Sequence, residues 1–132
     1  MDEREGQPPA WQATEERVAS LYRALGFSVV RDRLVKGSQV DLVAERRLGG
    51  LGTLRVAVEV KDHPGGSLPV DEVRAFAARA ILMTTDRTFD QVHLVTTGTI
   101  TRNGHEVVDG NSRARLMTYE DLERELFDPD EA

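Results

Sequence analysis

The 132-residue chain has no cysteine, which excludes a disulfide framework, a thiolate metal site and a cysteine nucleophile. Only 5% of its residues are aromatic, too few for a platform on which single-stranded bases stack. No apolar run approaches the roughly 20 residues needed to span a bilayer, so no membrane segment is expected. The charged start, MDEREGQPP, lacks the apolar centre of a secretory signal. A cytoplasmic setting is therefore the default expectation. Lysine is scarce too, since 15 of the 17 basic residues are arginine. Arginine suits bidentate phosphate contact, although genome base composition would enrich it equally.

The chain is long enough for one domain with a real core and too short for two. Its net charge of −6 argues against a nucleic-acid partner, because phosphate binding is driven by cationic side chains releasing counterions. The distribution reverses part of that inference. Residues 1–16 carry −4 and residues 120–132 carry −6, which leaves +4 on the stretch between them.

Residues 1–13, with Gly6, Pro8 and Pro9 in a polar setting, read as a flexible leader. From Thr14, a candidate cap, the apolar residues Val18, Leu21, Tyr22 and Leu25 follow helical spacing, and Gly26 ends the helix. Three strands with hairpin spacing follow, at 27–32, 39–46 and 54–62, the last two joined by a Gly-rich turn. After the HPGGSLP break, Val70, Val73, Phe76, Ala77, Ala80 and Ile81 predict a second amphipathic helix. The segment 91–98 reads as a buried strand reached by a helical crossover, which favours parallel pairing. Residues 99–112 are ambiguous, 113–118 suits a last strand, and Thr118 with Asp121 marks the start of a final helix over 119–127. The order is αβββαβ with a βα tail, bounded at 14–127 and followed by an acidic tail at 128–132.

Alternation within the third strand places Val56, Val58 and Val60 on one face and Glu59 with Lys61 on the other. In the strand before it, Val40, Leu42 and Ala44 share a face, with Asp41, Val43 and Glu45 opposite. Pairing about the Gly-rich turn puts Asp41 opposite Glu59 if paired numbers sum to 100, or opposite Lys61 if they sum to 102. Either register clusters Asp41, Glu59 and Lys61, since opposed Cβ atoms lie about 5 Å apart. Two carboxylates aimed at one spot call for a cation, and oxygen-only ligation suits Mg²⁺. A neighbouring lysine can position a water or stabilise charge on phosphorus. On the first helix Glu15 flanks the packed face and Glu16 points to solvent, so Glu15 is the candidate auxiliary acid; a first-turn residue stabilising the helix dipole is the competing reading.

These residues resemble the PD-(D/E)XK nuclease superfamily. Asp41, then Glu59-Val60-Lys61 after a hairpin, behind a helix Glu15-Glu16-Arg17-Val18 ending in Leu25-Gly26-Phe27, is similar above all to Mrr-like restriction endonuclease domains and archaeal Holliday-junction resolvases. The resemblance spans about 14–127. It implies an α/β fold with a restriction-endonuclease-like αβββαβ core, a mixed central sheet and flanking helices. It implies that Asp41 and Glu59 ligate the metal, that the Val60 carbonyl is a further ligand, and that Lys61 acts on the water. Val40 stands where the family name has Pro, and Glu59 where many Mrr-like members have Gln.

His63 and His93 receive no role. Arg31, Arg33, Lys36, Arg74 and Arg79 are open to two readings, phosphate contacts or a solvated polar face. The resulting expectation is a Mg²⁺-dependent endonuclease, Mn²⁺ substituting, that cuts DNA, with RNA left open. It would serve as a module of a defence or restriction protein, a homodimer, or a fusion to a targeting domain. The alternative is a catalytically silent nuclease-like fold used for nucleic-acid binding or assembly.

Overall fold

The computed structural model describes residues 10–35 and 37–127. Five strands form one sheet in the order β1-β2-β3-β4-β5: β1 (Ser28–Val35), β2 (Ser38–Arg47), β3 (Thr53–Lys61), β4 (Gln91–Thr96) and β5 (Ala114–Thr118). The first three are antiparallel neighbours, whereas β3, β4 and β5 run parallel. Four α-helices cover the two faces: α1 (Ala10–Ala24), α2 (Val70–Thr85), α3 (Arg102–Val108) and α4 (Tyr119–Phe127). The mixed sheet between helices is the restriction-endonuclease-like α/β fold.

Two apolar clusters hold this sandwich. On one side Val18, Ala19 and Tyr22 of α1 and Leu122 of α4 pack on Leu42, Ala44, Val56, Val58 and Val95 of the sheet. On the other, Val73, Phe76 and Ala80 of α2 and Val108 of α3 pack on Val43, Ala57, Val92 and Leu94. Each buried Val, Leu or Phe contributes about 1.5–3 kcal/mol, so the double-sided burial of β2, β3 and β4 dominates stability. The capping pair at α4 forms as expected: Asp121 N–H donates to Thr118 Oγ1 at 3.1 Å, and Thr118 N–H donates to Asp121 Oδ2 at 3.0 Å.

Two expectations need correction, and one open stretch resolves. The first helix starts at Ala10, so Ala10–Ala13 belong to it and Thr14 lies inside it, 2% exposed, rather than capping it. The Ala-Trp-Gln-Ala stretch lacks any helix breaker and extends the helix by one turn. Residues 1–9 and 128–132, the rest of the leader and the acidic tail, lie outside the described residues, as does Lys36. The ambiguous stretch contains α3, whose Gly104 is buried against Ile100 and Val73, close enough that a Cβ there would touch both. Val40 does not share a face with Leu42 and Ala44; it packs with Val43 and Ala57 instead.

That last departure has a local cause. The β1–β2 ladder pairs Arg31 with Leu42 and Arg33 with Val40 but skips the step from Asp32 to Asp41, and Asp32 has a φ of +52°. Aspartate tolerates this left-handed conformation better than most residues. Alternation therefore breaks at the residue that the sequence marks as a metal ligand.

Candidate active site

The β2–β3 ladder follows the register summing to 100, from Arg47 opposite Thr53 to Leu42 opposite Val58. Asp41 continues past the last of these pairs. Its carboxylate reaches across to β3, where the Val60 N–H donates to Oδ2 at 2.8 Å. This bond fixes Asp41 against the segment that carries Glu59 and Lys61.

Around Asp41 the structure gathers acids from three elements. One carboxylate oxygen each from Glu15 on α1, Asp32 on β1 and Asp41 on β2 lie within 4.8 Å of one another. Glu15 is drawn in by its own helix: Val18, Ala19 and Tyr22 lie three, four and seven residues on and are all buried, so the same face carries Glu15 under the sheet. Only 3% of it is exposed, and its Oε1 is buried with no hydrogen-bond partner. Glu16, by contrast, faces outward and bonds Arg23 and Arg31 at 3.0 and 2.9 Å.

The electrostatics follow from that crowding. Burial, then the negative charges of Asp41 and Asp32, push the Glu15 carboxyl up to about 7. Asp41 is also raised, chiefly by burial, with Glu59 and Asp32 adding to the effect while the Val60 N–H and Lys61 oppose it. A buried carboxylate oxygen without a donor is costly, and the three clustered carboxylates, Glu15 included, are the all-oxygen donor set a hard divalent cation prefers. The residues present fit such an ion.

Glu59 has other company. Its Oε1 accepts from the guanidinium of Arg79 on α2, and the Lys61 Nζ lies 4.0 Å away. Glu59 and Lys61 thus stay together as expected, and Asp41 senses both, while the carboxylates that cluster within 4.8 Å of Asp41 are those of Glu15 and Asp32. Asp32 was not among the sequence candidates. Its one signal is an acid between Arg31 and Arg33 in an edge strand, and nothing local says that it turns toward a helix.

Beyond Lys61 the chain is pinned to the exit of β4. Thr97 N–H donates to the Lys61 carbonyl at 3.2 Å, His63 N–H donates to Thr97 Oγ1 at 2.8 Å, and Thr97 Oγ1 donates to Asp62 Oδ1 at 2.8 Å. Gly98 allows the close approach, since a Cβ there would sit 2.6 Å from the Gly66 carbonyl oxygen. His63 Nε2 bonds Glu72 of α2 at 2.8 Å. His93 is structural: buried on β4, it bonds the Tyr22 hydroxyl through Nδ1 at 2.6 Å and Gln91 through Nε2 at 2.8 Å.

The model of the Mrr-type catalytic domain, described as restriction endonuclease, matches residues 9–126. The chain belongs to this family. Solved structures agree on the fold. AF1548, a protein of unknown function, shares 24% identity over 84% of this chain and 59% of its own, with a TM-score of 0.66. A repair endonuclease from Pyrococcus abyssi shares 15% identity over 87% of this chain and 48% of its own, with a TM-score of 0.60. The MspJI restriction endonuclease, in complex with a 27-mer oligonucleotide, shares 23% identity over 90% of this chain and 27% of its own, with a TM-score of 0.56. The domain therefore spans between about a quarter and three-fifths of these chains. No curated protein matches it. Among the described residues no helix is long and apolar enough to cross a membrane.

Proposed function

We propose that this restriction endonuclease family domain is a Mg²⁺-dependent endonuclease that hydrolyses DNA phosphodiester bonds in the cytoplasm, Mn²⁺ substituting for Mg²⁺. The observation that carries the reading is the buried, unpartnered Glu15 oxygen beside Asp41 and Asp32, a charge arrangement that folding alone would select against. Asp41, Glu59, Glu15 and the Val60 carbonyl are the ligands we assign. When bound, the ion supplies Lewis-acid stabilisation of charge at phosphorus and lowers the pKa of water.

The chain's own residues do the rest. The Val60 N–H holds the Asp41 carboxylate in place. Lys61, beside Glu59, donates hydrogen bonds to the attacking water and to the non-bridging oxygens, where negative charge grows. The water oxygen bonds to phosphorus as the bond to the leaving sugar oxygen breaks; the water loses a proton and the leaving oxygen gains one. The Thr97 bonds to the segment after Lys61 keep the lysine backbone fixed while this happens.

DNA as substrate is supported by the family and by the oligonucleotide complex of MspJI. Because the domain spans only part of its structural relatives, targeting is assigned to a fused domain, a partner or a second copy, in the setting of a restriction or defence protein. The test is plasmid cleavage with Mg²⁺, Mn²⁺ or EDTA. Asp41→Ala, Glu59→Ala and Lys61→Ala should each lower the rate by roughly 10²–10³-fold. Cleavage that survives all three substitutions refutes the site. A wild-type protein that binds duplex DNA but never cuts favours the silent binding module.

A further inference from the structure

Glu59 and Asp41 stand on adjacent strands, yet Glu59 is absent from the carboxylate cluster that holds Asp41. The broken alternation at Asp32 turns Asp41 toward α1, and on the α2 side Glu59 is engaged by Arg79. Its guanidinium, from the third turn of α2, takes Glu59 Oε1, with the Lys61 ammonium 4.0 Å from the same oxygen. A cavity of about 20 Å³ bordered by Asp41, Glu59, Arg79 and Met83 has room for one water at most and none for a hydrated ion. With Arg79 in place, Glu59 already has its counter-charge.

We propose that Arg79 is a substrate-phosphate contact that holds Glu59 in reserve, exchanging the carboxylate for a phosphate oxygen when DNA and metal enter together. The proposal rests on the nuclease reading and deepens it. Charge balance drives the exchange. Were Asp41 and Glu59 to hold a divalent ion, the guanidinium would be repelled, and an arriving phosphate would offer it an oxygen pair of the geometry that arginine binds best. The Arg79 side chain is 39% exposed and holds Glu59 through Nη2, one of its two terminal nitrogens. Metal affinity then rises with DNA binding, which keeps an uncommitted site from assembling without substrate.

A purely structural Arg79, clamping α2 to β3, would not shift metal affinity and turnover in opposite directions. The experiment compares the wild-type chain with Arg79→Gln and Arg79→Lys, each checked for folding by circular dichroism and melting. Mn²⁺ binding without DNA is read by calorimetry, and plasmid cleavage is read at saturating Mn²⁺. Arg79→Gln should bind Mn²⁺ roughly five- to tenfold more tightly, because a partly exposed opposing charge has been removed. Its maximal cleavage rate should fall at least about tenfold, with Arg79→Lys in between. Unchanged or weaker Mn²⁺ binding by folded Arg79→Gln, or an unchanged maximal rate, overturns the proposal. Should the wild-type chain bind Mn²⁺ and cut nothing, the nuclease reading fails separately. The phosphate contact is then read from duplex binding, where an Arg79→Gln chain that binds like wild type overturns it.

Discussion

Replacing Glu15 by glutamine should make the metal-free protein more stable and the metal-loaded protein less so. In the absence of a cation Glu15 sits buried with an unpartnered oxygen, and burial with the charges of Asp41 and Asp32 raises its carboxyl from 4.5 to about 7. The folded protein therefore holds a proton there that the unfolded chain releases above its ordinary value. Stability falls by up to about 1.4 kcal/mol per pH unit between 4.5 and 7 and is flat above 7. The ceiling is about 3 kcal/mol at pH 8; Asp32 is exposed, so water screens the cluster and about 1–2 kcal/mol is expected. His93 acts in the opposite sense. Burial pushes it from 6.5 down to about 3, so stability rises between those values and is lost as pH falls through the window. The two slopes oppose each other between 4.5 and 6.5, which reduces the net pH dependence of the wild type there. Glu15→Gln uncovers the rising His93 slope. Urea unfolding at pH 5 and pH 8 in EDTA measures both proteins. Glutamine should gain about 1–2 kcal/mol over wild type at pH 8, gain less at pH 5, and lose most of the stabilisation that Mn²⁺ gives wild type. A Glu15→Gln protein less stable than wild type at pH 8 in EDTA refutes the reasoning.

Tyr22→Phe removes the hydroxyl that donates to His93 Nδ1 and leaves a buried acceptor unpaired. The cost is about 1–3 kcal/mol by urea unfolding at pH 7; a change within about 0.5 kcal/mol would mean that the ring nitrogen finds another donor. Gly98→Ala drives a methyl into the Gly66 and His63 carbonyl oxygens, at 2.6 and 2.8 Å, and must part the loop after Lys61 from β4. Melting should show a loss of at least about 1 kcal/mol, and cleavage should fall with it because Lys61 is carried on that loop's first bond to Thr97; wild-type stability would show that the loop is not pinned there.

The element order and both helix-covered faces were legible because each segment carries an unmixed period: two for Val56, Val58 and Val60, and near 3.6 for Val18, Leu21, Tyr22 and Leu25. The wheel also separated Glu15 from Glu16 correctly in burial. What escaped was whatever depends on a break in the period. Asn103-Gly104 reads as a turn, yet Thr101 caps a short helix there by accepting the Gly104 N–H at 3.1 Å, and the glycine is small enough to lie against α2. Parity predicted Asp41 to share a face with Glu59 because it assumes unbroken alternation. The skipped pair at Asp32 voids that assumption over one residue.

That single break links fold to function. An edge strand with regular pairing through Asp32 would keep the alternation of β2, place Val40 with Leu42 against α1, and point Asp41 at α2. The left-handed Asp32 instead frees its own carboxylate toward Glu15 and lets Val40 join the opposite core cluster. The strained backbone costs of order 1 kcal/mol and the like charges cost more. Apolar packing on both faces of β2 is large enough to hold the arrangement closed. On the proposed reading, the same burial that makes the acid cluster unfavourable alone would favour a divalent cation seated among its carboxylates. In the absence of an ion, the fold's stability is what keeps the carboxylates together. Substitutions that relieve their repulsion should therefore stabilise the empty fold while removing the charge that would bind the metal.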